Sequence, residues 1–122
     1  MGYYEENKST YTVSVLGTEY EIYLNVPHKD DKMLDTCDGY CDWTVRRIVV
    51  ADRHEAEQHA DFEARKKVCL RHELIHAFLY ESGLDQNTTW DIEGQIHPEQ
   101  MVEWVARQYP KMLEMFRKVG AI

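Results

Sequence analysis

The hydrophobic period of this chain changes once, near Asp61, and that change limits the folds open to it. Upstream the period is two. Tyr11, Val13 and Val15 alternate with Thr12 and Ser14, Gly17 marks a turn, and Tyr20, Ile22, Leu24 and Val26 then alternate with Glu21, Tyr23 and Asn25. Alternation on both sides of a glycine turn predicts a β-hairpin with one buried face. Pro27 ends its second strand, and the acidic, turn-rich run 28–42 reads as a loop. The β-branched run from Trp43 to Ala51 reads as a third strand, with Ile48, Val49 and Val50 buried on both faces. Downstream the period is helical. Phe62, Val68, Cys69, Leu74, Ile75, Phe78 and Leu79 form a broad apolar face, with Asp61 as N-cap and Gly83 as C-terminal stop. A polar connection containing Trp90 and Gly94 leads to Pro98, which suits the first turn of another helix. Met101, Val102, Val105 and Ala106 give that helix its apolar face. Pro110 is expected to kink or break it before Met112, Leu113 and Phe116 resume the pattern towards Gly120. The expected fold is a single α+β domain over 1–122, with a sheet of about three strands (the hairpin plus one) packed on two helices.

Composition narrows the partners. The net charge is −8, and the basic residues cluster only at Arg46-Arg47 and Arg65-Lys66-Lys67. Phosphate-backbone binding needs a concentrated basic surface, so no direct nucleic-acid contact is expected. No apolar run approaches the ~20 residues that cross a bilayer, and the start lacks the flank and core of a signal peptide, so the expectation is a cytoplasmic protein with no membrane contact. Three cysteines, Cys37, Cys41 and Cys69, are too few and too scattered for a four-thiolate metal site or a disulfide framework; they read as free thiols.

The helical stretch contains His72-Glu73-Leu74-Ile75-His76. Residues four apart share a helix face, so His72 and His76 can aim imidazole nitrogens at one point. Two neutral imidazoles suit zinc, and a catalytic zinc takes three protein ligands with one position left open. Glu73 is turned ~100° from His72, which lets it reach towards that open position as a general base. Leu74, Ile75, Ala77, Phe78 and Leu79 make this a mostly buried helix, on which two histidines and a glutamate need partners. One zinc ion per chain supplies them.

The third ligand has three candidates, His97, Glu99 and Glu103, all around the start of the next helix. Glu99 and Glu103 share a face, so one can ligate and the other can hold the outer N–H of a ligand histidine. Glu103 lies a full turn inside the helix between Val102 and Trp104, whereas Glu99 follows Pro98 in an exposed first turn where the helix dipole already accounts for a carboxylate. The reading therefore takes Glu103 as the ligand. Tyr80, Tyr109 and His97 remain open as stabilisers of an oxyanion.

The run RHELIHAFLYESGL followed by PEQMVEWVARQY resembles small metallopeptidase-like proteins of phages and mobile elements, related to the ImmA/IrrE group; DGYCDWTVRRIVVAD is similar to the strand that precedes their HExxH helix. The likeness covers roughly residues 38–109, and only HELIH is sharply specific. It implies a zincin-like fold in a bacterial host cell, with His72 and His76 as ligands, Glu73 as base and a helix glutamate as third ligand. A weaker likeness, EGQIHPEQMVEW to SprT-like proteases, implies His97 as the ligand instead, although Pro98 stands where that pattern has glycine.

Two functions follow. The first is a zinc metallopeptidase acting on a protein or peptide substrate. The second is a non-catalytic binding protein of phage or mobile-element type, in which zinc joins the two helices. Structural zinc sites normally have four protein ligands, and only the first function gives Glu73 a task.

Overall fold

The computed structural model describes residues 2–84 and 98–122. His97 and the connection with Trp90 and Gly94 lie outside them. A short helix α1 (Tyr3–Glu6) precedes strands β1 (Tyr11–Val15) and β2 (Thr18–Val26), and two 3-10 turns (His28–Asp30 and Lys32–Asp35) lead to β3 (Gly39–Asp42) and β4 (Arg47–Ala51). Two long helices follow, α2 (Phe62–Ser82) and α3 (Glu99–Lys118). The architecture is α+β, and the mixed sheet has the order β1-β2-β4-β3.

The hairpin forms as its alternation predicts. Val15 pairs with Thr18 across a two-residue turn in which Leu16 and Gly17 both take positive φ, the geometry whose twist matches a right-handed hairpin. β2 then pairs in parallel with β4 on its other side. Among the described residues the sheet has four strands rather than the three expected. β3 lies within the stretch read as a loop and pairs antiparallel with β4 from Gly39↔Val50 to Asp42↔Arg47. The third strand is also shorter than expected. Asp42 accepts hydrogen bonds from the Thr44 N–H (3.0 Å) and hydroxyl, so the chain turns there and β4 starts only at Arg47.

Both faces of the sheet are covered. On one, Val15, Tyr20, Ile22 and Ile48 pack against Ala77 of α2. On the other, Tyr23, Val26, Leu34, Val49 and Ala51 pack with Tyr3, Tyr4 and Tyr40. Asn25 makes this possible within one strand: its φ of 58° accompanies a break in the β2–β4 register, and Val26 joins the face opposite Tyr20 and Ile22. A strict period of two had placed Val26 with them. Asp31 ties the second layer together by accepting from the hydroxyls of Tyr4 and Tyr40 and from the Met33 N–H (3.0 Å).

α2 begins and ends as its caps dictate. Asp61 Oδ1 accepts from the Ala64 N–H at 3.0 Å, and Gly83 closes the helix at φ 83°. Its most buried stripe is Cys69, Glu73, Ala77, one residue every turn, with a carboxylate in the middle. α3 is continuous through Pro110, so the break expected there does not occur. Proline has no N–H to give the carbonyl four residues back, which is that of Ala106. Arg71 Nε of α2 donates to that oxygen at 2.6 Å, so the neighbouring helix supplies the missing donor. Among the described residues no helix is long and apolar enough to cross a membrane.

Candidate metal centre

The site is the seam between α2 and α3. His72 and His76, one turn apart on α2, bring their Nε2 atoms to 3.2 Å from each other. Glu99, in the first turn of α3, sets Oε2 at 3.0 Å from His72 Nε2 and Oε1 at 2.7 Å from His76 Nε2. Among the described residues, these three form the one group whose ligand atoms gather closely enough to hold a metal ion. The donor set fits zinc. A tetrahedral ion with ligands at ~2.0–2.1 Å keeps them ~3.3 Å apart, which is close to the spacing of the two nitrogens. Hydrogen-bond logic points the same way. A carboxylate and two ring nitrogens that converge by their lone pairs need positive charge between them, as protons or as a cation.

Glu103, the expected third ligand, stands outside that group. Its Oε1 lies 2.8 Å from Nδ1 of His72, on the far side of the ring from Glu99. Its Oε2 accepts from Arg65 Nη1 at 3.1 Å and from Arg107 Nε at 2.9 Å. Burial alone raises the Glu103 pKa, but the hydrogen bonds from His72 and Arg107 and the Arg65 charge outweigh it and bring it down to about 2. Glu103 is the more buried of the two, as its place a turn inside α3 predicts: its side chain is 25% exposed against 52% for Glu99. What position alone could not say is that its oxygens are already engaged.

Glu73 is buried, and among the described residues its carboxylate has no hydrogen-bond or ion-pair partner. Burial pushes its pKa up to about 7, helped by the negative charges of Glu99 and Glu103 and opposed by His72 and Arg65. A proton acceptor with that value at the edge of a polar cluster suits general base work near neutrality. Cys37, Cys41 and Cys69 all lie within its electrostatic reach. All three are free thiols, as expected, and burial raises Cys41 and Cys69 to about 12, so they line the glutamate's surroundings as small apolar groups.

The cluster opens on a groove bordered by Arg65, Gln100, Trp104 and Arg107. A cavity of about 600 Å³ lies on the other side of Arg65, over the carboxyl ends of β2 and β4, with His54, Phe62 and Cys69 in its wall. The sequence reading did not anticipate it, because its lining comes from four separate segments. Of the candidate oxyanion stabilisers, Tyr80 stacks its ring on Trp43 with centroids 6.0 Å apart, and Tyr109 is an exposed residue of α3. His97, the ligand of the SprT-like alternative, lies outside the described residues.

Comparison of the chain with protein-family models, curated proteins and solved structures finds no match.

Proposed function

We propose that this chain is a zinc-dependent metallopeptidase of zincin-like fold, with His72, His76 and Glu99 holding the metal and Glu73 as general base. The observation that carries the reading is the convergence of three ligand side chains beside a buried carboxylate that has no hydrogen-bond or ion-pair partner among the described residues. Burying such a group costs several kcal/mol when nothing compensates it, and the stability of the fold does not call for it. The resemblance of HELIH and the helix after it to the ImmA/IrrE-related proteins supports the same assignment, and supports a cytoplasmic enzyme acting on a protein or peptide.

Zinc held by His72, His76 and Glu99 would supply Lewis acidity to a peptide carbonyl and would bring the pKa of a water towards 7. The chain's own residues do the rest. Glu73 takes the proton that the water gives up as its oxygen adds to the carbonyl carbon, then returns it to the departing amine as the C–N bond breaks. Its burial keeps it a strong enough base for the first transfer and, once protonated, a neutral acid for the second. Glu103 holds Nδ1 of His72 and so leaves Nε2 for the metal.

The binding-protein alternative gives Glu73 no task, and the two readings separate on one substitution. Elemental analysis of the wild type is expected to give near one zinc per chain. Glu73→Gln should keep that zinc while losing turnover of a peptide library by 100-fold or more, on the order seen for general bases. Zinc-loaded wild type that cleaves nothing in the library would favour the non-catalytic alternative. Absence of zinc after zinc is added back would refute both.

A further inference from the structure

Glu99 and Glu103 are the same residue type, one turn apart on one face of α3, and nothing in their own chemistry decides which serves a cation and which serves a histidine. Their surroundings differ in one respect. Glu99 meets the two imidazoles of His72 and His76. Glu103 meets a single imidazole nitrogen and two guanidinium groups, Arg65 from α2 and Arg107 from its own helix, both on the same oxygen.

We propose that Arg65 and Arg107 are positioning residues that assign the two roles, locking Glu103 as the acceptor for His72 Nδ1 and leaving Glu99 as the ligand. This rests on the reading that His72, His76 and Glu99 hold a metal. Two charge-assisted hydrogen bonds fix Oε2, so the carboxylate cannot swing, and Oε1 stays on Nδ1. An ionised carboxylate only accepts hydrogen bonds, so Nδ1 must carry the proton, and the neutral ring then keeps its lone pair on Nε2, the atom facing His76 and Glu99. The placement comes from both helices. Arg65 lies seven residues before His72, two turns along the same side of α2, and Arg107 lies four residues after Glu103. Without the two guanidiniums, Glu103 is free to turn towards the metal and compete with Glu99, and His72 loses the contact that sets its tautomer.

The contrary view is that the arginines only staple α2 to α3. The test uses the full chain and reads the ligand set as well as stability. Zinc affinity is measured by chelator competition for wild type, Arg65→Gln, Arg107→Gln, the double variant and Glu103→Gln. The double variant is expected to lose 10–100-fold, the range for groups that orient a metal ligand, and adding Glu103→Gln to it should cost little more. The visible spectrum of the cobalt-substituted double variant should change, and Arg65→Lys with Arg107→Lys should restore part of the wild-type spectrum. In metal-free protein at alkaline pH, long-range ¹⁵N–¹H NMR should place the His72 proton on Nδ1 in wild type and on a mixture of both nitrogens in the double variant. A folded double variant with wild-type affinity, cobalt spectrum and tautomer overturns the proposal. Should the double variant fail to fold, Arg107→Gln carries the test, since that side chain is 61% exposed. Wild type without zinc affinity but with an arginine-dependent tautomer would sink the metal reading and leave the positioning role supported; loss of both would sink both.

Discussion

Replacing Glu99 and Glu103 in turn by alanine should weaken zinc binding to different extents, in an order the geometry fixes. Glu99 has its two oxygens on the converging Nε2 atoms of His72 and His76, at 3.0 and 2.7 Å. Zinc sites with four protein ligands bind with roughly 10–16 kcal/mol, so one charged ligand accounts for about 3–4 kcal/mol, or about 10²–10³-fold in affinity. Glu103 touches only the outer nitrogen of His72, and loss of such a partner costs about 10–100-fold. A thermal assay turns the ratio into a shift. With free zinc at ~100 times the wild-type Kd, linkage stabilises the wild type by ~2.7 kcal/mol, Glu103→Ala by ~0.4–1.4 and Glu99→Ala by ~0.4 or less. In a chain of this size each kcal/mol moves Tm by roughly 3–6 °C, so both variants separate clearly from the wild type, and Glu99→Ala should show the smaller zinc-dependent shift of the two. The comparison is made as the difference with and without zinc for each protein, which removes any direct effect of the substitution on stability. Greater loss in Glu103→Ala than in Glu99→Ala would refute the assignment and restore Glu103 as the ligand.

Three further outcomes follow from the scaffold. Burial raises the Asp31 pKa, but hydrogen bonds from Tyr4, Tyr40 and the Met33 N–H outweigh it and hold it below its ordinary value; such a group stabilises the fold above its unfolded pKa of ~3.9, and that contribution is lost as pH falls through the lower folded value. Asp31→Asn should therefore lower the unfolding free energy from urea titration by about 1–2 kcal/mol at pH 7, and the difference from wild type should shrink as pH falls below ~3.9. A Cβ at Gly39 would lie 2.6 Å from the Val49 carbonyl oxygen and 2.8 Å from Cys69 Sγ, so Gly39→Ala should cost about 1–3 kcal/mol in urea unfolding, and adding Cys69→Ala should recover only the sulfur's share. Arg71→Met should cost about 1–3 kcal/mol in wild type, by leaving the Ala106 carbonyl without its donor, and clearly less in a Pro110→Ala background, where the restored N–H supplies one; equal costs in the two backgrounds would show that the arginine does not serve that carbonyl.

The parts of the fold legible in the sequence are those governed by local rules. Period two and Gly17 give the hairpin, Asp61 and Gly83 bound α2, and the four-residue spacing of His72 and His76 puts both rings in one place. β3 was not legible because Gly39-Tyr40-Cys41-Asp42 is four residues with little β preference, held as a strand only by its pairing with β4. The different surroundings of Glu103 and Glu99 do have a sequence signal. Glu103 has a basic residue at i+4, Arg107, whereas the residue four after Glu99 is another glutamate. An i,i+4 acid–base pair means a carboxylate with an oxygen already engaged, and a ligand needs one that is not.

Pro110 carries the same lesson from the opposite direction. Taken alone it breaks a helix, and the local rule has no means of knowing that Arg71 reaches across from α2 to 2.6 Å from the orphaned carbonyl. Its neighbour in sequence, His72, is in the proposed metal centre, and its target, Ala106, is fully buried and flanked by Val105 and Arg107. The contact that lets α3 run past its proline is therefore part of the seam on which Arg65, Glu103 and His72 meet. A continuous α3 presents Glu99, Glu103 and Arg107 at successive turns along α2, and a break at Pro110 would leave that half of the helix anchored by its first three turns alone. In this chain the residue that forbids a helix locally is kept helical by the same interface that assembles the His72–His76–Glu99 group, so stability of α3 and order in that group should fall together when Arg71 is removed.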